Sequence, residues 1–263
     1  MTDPQNSQTG NTASEKHQDM PLIEHLLELR NRLLKMVLAV VICFAAIYPF
    51  ANELYLWVSE PLRSLLPVGQ TMIATDITSP FFAPLKLALV LAVFTAIPII
   101  LYQLWSFIAP GLYAHEKKLA FPLLFTSIIL FYLGAAFAYY VVFPLVFGFF
   151  TAIGPEGIVE LPDISSYLNF VLKMFFAFGV AFEIPIATIL LILTGATTPA
   201  DLAAKRPYIV VGCFVIGMLL TPPDIISQTL LALPMWLLFE LGILFGRLAQ
   251  RSKAELDDTQ SEP

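Results

Sequence analysis

Charge is what this sequence has least of. Of its 263 residues only 13% are Asp, Glu, Lys or Arg, while 58% are hydrophobic. A water-soluble domain typically carries about 25% charged and about 45–50% apolar residues, so a soluble globular fold is excluded for most of the chain. Cysteine is nearly absent: Cys43 and Cys213 stand far apart, each inside an apolar run, where a thiol behaves as a small hydrophobe and no disulfide framework arises. There are three histidines, His17, His25 and His115, all outside the apolar runs. Neither a metal cluster nor a Ser–His pair can therefore be assembled at membrane depth. No Walker loop, HExxH, GxSxG or CxxC pattern occurs, so no catalytic residue, no metal site, no cofactor and no enzyme activity is expected. Nothing at a net charge of −6 points to nucleic acid. The first residues, through Asp19, are polar and lack the short apolar core of a cleaved signal peptide. Residues 1–20 read as a disordered leader with nothing to bury.

What is present is a series of apolar runs. About 20 apolar residues cross a hydrocarbon core of about 30 Å, and six runs qualify: about 33–52, 84–104, 119–143, 167–193, 207–220 and 225–246. The last two are short, the fifth most of all, and the turn Thr221-Pro222-Pro223-Asp224 ties them tightly together; such mismatch thins the bilayer or is relieved by neighbouring protein. The expected fold is an all-α polytopic membrane protein, a single domain over 21–246 with a polar tail over 247–263. With both termini cytoplasmic, eleven of the fourteen basic residues lie inside, and only Arg63 falls in an outer loop, as the positive-inside rule requires. The outer segments 53–83 and 144–166 are Pro-rich and weakly amphipathic, and are expected to lie on the membrane surface. Pro98, Pro122, Pro185 and Pro234 fall inside spans, where they kink helices and favour a concave cup over a straight bundle.

Four polar groups stand out. In the juxtamembrane helix Leu22, Leu26, Leu29 and Leu33 share one face, while Glu24, Glu28 and Arg32 recur one turn apart. It reads either as a surface helix with an internal Glu28–Arg32 pair or as one wall of a receptor. In the inner loop 105–118, Trp105, Phe107 and Tyr113 are interfacial aromatics and Glu116 precedes two lysines. Carboxylates on two segments at one face are what a peptide with two arginines would need, since guanidinium pairs bidentately with carboxylate. Glu183 lies inside the fourth span, where a charge costs about 2.5–3.5 kcal/mol on insertion scales. It is either functional or a neutral, hydrogen-bonded tie between helices, and Glu240 is a weaker case of the same kind. Finally, Met218, Thr221, Asp224 and Gln228 surround the outer hairpin. Asp224 could cap the last span, and Thr221 and Gln228 could bond across a helix interface. Gly242 and Gly246 form a single GxxxG spacing, a weak sign of a dimer face.

These segments resemble the TatC family of twin-arginine export receptors. The resemblance is carried by Pro21 to Arg32, by Met72-Ile73-Ala74-Thr75-Asp76 with Ser79-Pro80-Phe81-Phe82, and by Trp105 to Lys118. It continues through Phe178 to Pro185, Lys205-Arg206-Pro207-Tyr208 and Gly217 to Asp224. It implies a multi-pass protein of the bacterial inner membrane that binds the signal peptides of folded cargo. Glu28 and Glu116 would receive the arginines, with Phe107 beside them and Arg30 in support. Glu183 would be the family's intramembrane glutamate. Met218, Thr221 and Gln228 would dock the single-span partners TatB and TatA, and Pro61 and Asp224 would serve assembly on the periplasmic side. Self-association in a multi-copy complex and transport driven by the proton motive force are implied as well. The alternative from the residues alone is a proton-coupled secondary transporter of a small solute using Glu183.

Overall fold

The computed structural model describes residues 12–64, 72–108, 117–153, 162–220 and 225–261, and over them the chain is almost wholly helical. Helix α1 runs Thr12–Ile47, α2 Ala51–Arg63, α3 Ser79–Ile108 and α4 Lys117–Phe137. Then come α5 Phe143–Ile153, α6 Ile164–Ala181, α7 Ile184–Leu193, α8 Pro199–Ala204, α9 Arg206–Leu220 and α10 Ile225–Ser261. Five stretches are long and apolar enough to cross a membrane, and Arg206–Leu220 is a shorter apolar helix. These make the six spans. Large apolar side chains along them, such as Leu38, Ile42, Phe125 and Leu219, remain exposed; an apolar band this extensive belongs in lipid, not in water.

Several boundaries differ from expectation. Helix α1 begins at Thr12, inside the segment expected to be a disordered leader, because adding residues to an existing helix needs no new nucleus. For the same reason α10 continues through the polar tail to Ser261. Helix α3 starts at Ser79 instead of residue 84, with Pro80 in its first turn, where the missing N–H would have had no partner. The third span continues past its expected end through a π turn at Ala138–Val142 into α5. Pro144, at the second residue of α5, clashes with regular α geometry at that point, and a wider turn absorbs it. The fourth span is two helices: Phe182 and Glu183 form a turn, and Pro185 opens α7. Gly195, at φ 73°, ends α7 in the left-handed conformation that glycine adopts without strain.

Close approach between spans is made by glycine. A Cβ on Gly134 of α4 would fall within 2.4 Å of the Phe178 carbonyl oxygen in α6. Gly242 and Gly246 of α10 face Pro185, Thr188 and Ile192 of α7. The GxxxG spacing is thus used inside the chain. Around Gly134 the core is aromatic: Phe94, Phe131, Phe175, Phe178 and Phe143 interlock from α3, α4, α5 and α6, mostly edge to face, the favoured ring geometry.

Two prolines free carbonyls that tyrosines then take up. Pro98 has no N–H to offer Phe94, and the Tyr132 hydroxyl of α4 donates to that carbonyl at 2.9 Å. Pro61 leaves the Trp57 carbonyl open in α2, and Tyr139 donates to it at 3.1 Å while its ring stacks on the indole. Tyr132→Phe is therefore expected to lower stability by about 1–3 kcal/mol, the penalty of an unsatisfied buried carbonyl. In a Pro98→Ala background the same change should be nearly neutral, since an alanine at that position restores the helical donor. Thermal unfolding of the four proteins of this double-mutant cycle measures the coupling; equal losses in both backgrounds would refute it.

Candidate functional site

The end of the bundle where α1 and α3 meet carries a built polar site. Arg32 of α1 donates to one oxygen of Glu28, from Nε at 3.0 Å and from Nη2 at 2.5 Å. The same guanidinium reaches across to α3, where Nη2 donates to the Ser106 carbonyl at 3.1 Å and Nη1 to the Gln103 carbonyl at 3.5 Å. Both carbonyls belong to the last turns of α3, at the negative end of the helix dipole, and Ser106 is among the last four residues, whose carbonyls lack intrahelical donors. A cation is held there by geometry and by charge. The Arg32 side chain is 19% exposed and Glu28 41%, so the carboxylate keeps an open side. Phe107 follows Ser106 directly and is half-buried. Arg30 is exposed and lies about 200° around α1 from Glu28, so it is not brought beside that carboxylate. Glu116 lies outside the described residues.

Glu183 sits at the α6–α7 joint and is half-buried. Its Oε2 accepts a hydrogen bond from Ser127 of α4, while Oε1 has no partner among the described residues. The side chain thus ties α4 to the broken fourth span and leaves its other oxygen buried and unpartnered among the described residues. Glu240 is placed differently: it receives Arg206 of α9 through Nε and Nη2, each at 2.6 Å. The fork-on-carboxylate geometry is the strong form of such a pair; it joins the start of α9 to α10.

On the opposite side of the spans, Gln228 of α10 donates to the Phe214 carbonyl of α9 at 2.7 Å, and Gly217 leaves room for the glutamine stem. Met218 is exposed on the neighbouring turn. Thr221 and Asp224 lie outside the described residues. Pro61 sits in the last turn of α2, whose Val58 carbonyl receives the Tyr167 hydroxyl of α6 at 2.9 Å.

Asp163 escaped the reading of the sequence. It caps α6 by accepting from the Ser166 N–H at 2.8 Å, and accepts both the N–H and the hydroxyl of Thr75, at 3.0 and 2.8 Å. Backbone bonds on either side, Ile73 N–H to Pro162 and Ile164 N–H to Ile73, complete a short parallel bridge between segments almost 90 residues apart. The N–H donors from Thr75 and Ser166 hold its carboxyl well below the ordinary 3.8, because a carboxylate accepting several bonds favours its charged form. An Asp two residues before a Ser-Ser pair and an apolar run is a legible cap signal; its partner Thr75 is not. Among the described residues no group of His, Cys, Asp and Glu is arranged to hold a metal ion.

Comparison with known proteins gives one answer. The sequence pattern of the TatC family, described as Sec-independent protein translocase protein, matches residues 24–234. The Sec-independent protein translocase protein TatC of Azotobacter chroococcum mcd 1 is 58% identical over 247 residues, 94% of this chain and 97% of that one. Its Escherichia coli K12 counterpart is 57% identical over 227 residues, 86% of this chain and 88% of that one. A crystal structure described as the twin-arginine translocase receptor TatC shares the fold with a TM-score of 0.78 and 40% identity, covering 86% of this chain and 99% of its own.

Replacing Asp163 by Ala removes both a cap and the bridge to Thr75, and is expected to cost at least the ~1 kcal/mol of a lost cap. The sign with pH follows from the direction of the shift. A carboxyl held below its unfolded value stabilises the fold above that value and loses its effect as pH falls through the folded one. The advantage of the native protein over Asp163→Asn should therefore be full at pH 7 and shrink below about pH 4. Unfolding midpoints of the two proteins from pH 7 to pH 3 test this; a constant difference would refute it.

Proposed function

Because the chain belongs to the TatC family of Sec-independent protein translocase proteins, we propose that it is the signal-peptide receptor of that machinery. It would bind the twin-arginine signal peptides of folded cargo at the cytoplasmic face. The chain is a component of the translocase and crosses the membrane several times. The finer reading rests on one observation: Glu28 already holds a guanidinium, and that guanidinium is itself anchored on the carbonyls ending α3. The site thus has the chemistry of an arginine receptor, with the exposed flank of Glu28 open to a second guanidinium. Glu116 lies at the end of the segment that follows α3, within chain reach of the same end of the bundle, and is the second carboxylate in this reading. Phe107, next to the Ser106 that Arg32 contacts, supplies apolar surface in this reading. Arg30 acts from its own face of α1, holding the juxtamembrane helix at the anionic lipid surface.

The basic residues support an orientation with both termini cytoplasmic in the bacterial inner membrane. Met218 and Gln228, with Thr221 and Asp224 between them in sequence, form the docking place for the single-span partners TatB and TatA. Glu183, with one buried oxygen unpartnered among the described residues, offers a polar point inside the fourth span. Nothing in this scheme requires a bond to be made or broken by the chain; binding energy and assembly carry the function, with the proton motive force driving transport.

Labelled twin-arginine signal peptide should bind the purified protein at least about tenfold more tightly than its twin-lysine counterpart, since charge-assisted bonds contribute about 1.5–3 kcal/mol each. Glu28→Gln and Glu116→Gln should each weaken the twin-arginine peptide by a similar factor and leave membrane insertion intact. Equal binding of both peptides would remove the receptor reading. Separately, Gln228→Leu should reduce co-purification of TatB or TatA without changing peptide affinity; an unaltered yield would count against that docking place.

A further inference from the structure

A groove of about 710 Å³ opens between α6 and α9. Its walls are apolar, with Phe176 and Val180 on one side and Ile216 and Leu220 on the other, all but Leu220 exposed along it. One end is polar: Asn169 and Lys173, one turn apart on α6, both line it and both are exposed. Because α6 descends from Asp163 and α9 ascends toward Leu220, this end lies on the Asp163 side of the membrane, away from Arg32. Among the described residues the ion pairs are Glu28–Arg32, Glu60–Arg63 and Glu240–Arg206, and Lys173 takes part in none of them.

Depth makes this lysine informative. It stands nine residues into α6, about 13 Å along the helix axis from Ile164. A lysine so placed needs polar surroundings that its long stem can reach. Helix α9, across the groove, has 15 residues and spans about 22 Å, some 8 Å short of a hydrocarbon core of about 30 Å. A span this short draws the interface inward beside it. The headgroup level is therefore lowered on the wall that faces Lys173, and the two displacements meet at the groove's polar end.

We propose that this groove is a site for an anionic phospholipid. The headgroup phosphate pairs with the Lys173 ammonium and accepts from the Asn169 amide, and an acyl chain lies along Phe176, Val180 and Ile216. The lining from Asn169 to Ile184 extends about 22 Å along the helix direction, enough for a chain to lie lengthwise. A partner helix is the other conceivable occupant, but the docking place named above uses a different face of α9. Met218 and Phe214 each stand about 200° around the helix from Ile216. The lipid site thus stands independently of the receptor and docking readings.

Native mass spectrometry of the detergent-purified protein, supplied with phosphatidylglycerol or phosphatidylcholine, tests the pairing. The native protein should retain phosphatidylglycerol preferentially, and Lys173→Gln should lower that retention about fivefold, whereas Lys173→Arg should keep it. Equal retention by the native and Gln proteins would overturn the site. A photo-crosslinking amino acid in place of Phe176, with Lys173 intact, reads the occupant directly in membranes. An adduct to lipid supports the proposal; an adduct to a polypeptide means that a partner helix fills the groove, and overturns it.

Discussion

In hydrocarbon, an unbonded N–H or C=O has no water to turn to, and this chain carries 20 prolines, each of which lacks a donor. Much of the architecture answers that demand. At Pro98 and Pro61 the freed carbonyls receive tyrosine hydroxyls from α4 and from the π turn that follows it. At Pro144 the helix widens into that π turn before continuing, and at Pro185 the span breaks and restarts. Each answer also fixes a tertiary contact. Tyr132 ties α4 to α3, Tyr139 ties the third span to α2, and the break at Pro185 exposes the turn where Glu183 meets Ser127. The prolines therefore do more than bend helices: they create acceptors that only a neighbouring element can satisfy.

The few charged groups follow the same logic of completion. Arg32 closes the end of α3 while holding Glu28, Arg206 closes on Glu240, and Asp163 collects three donors from two segments. In each case one side chain links elements distant in sequence. Glu28 retains an exposed flank, whereas the free oxygen of Glu183 is buried. The exposed flank of Glu28 is where another molecule's cationic group has room to pair.

Much of this was legible in the linear sequence, because bilayer thickness converts directly into the length of an apolar run. The six spans, the shortness of Arg206–Leu220 and the asymmetric placement of Lys and Arg needed no coordinates. The same holds for the i,i+4 pair of Glu28 and Arg32, whose spacing brings them together on any helix. Composition likewise argued against a soluble fold. Boundaries were less legible: proline near a span end reads as a stop, yet α3 begins ahead of Pro84 and the third span runs through Pro144. Helices tolerate proline wherever a first turn, a π turn or a neighbouring hydroxyl removes the penalty, and only the last two depend on surroundings.

The tertiary structure decided the partnerships between residues far apart in the chain. It joined Thr75 to Asp163, Tyr132 to Phe94 and Arg206 to Glu240, and it turned Gly242 and Gly246 toward α7 instead of toward a second copy. It also set Lys173 of a long span opposite a short one. The physical reason is one of range. Span number, helical face and i,i+4 pairing follow from local geometry and from the constant thickness of the solvent, which the sequence meets residue by residue. Which carbonyl a tyrosine satisfies, or which carboxylate an arginine finds, depends on how whole helices pack, and that is settled only when all of their faces are buried together.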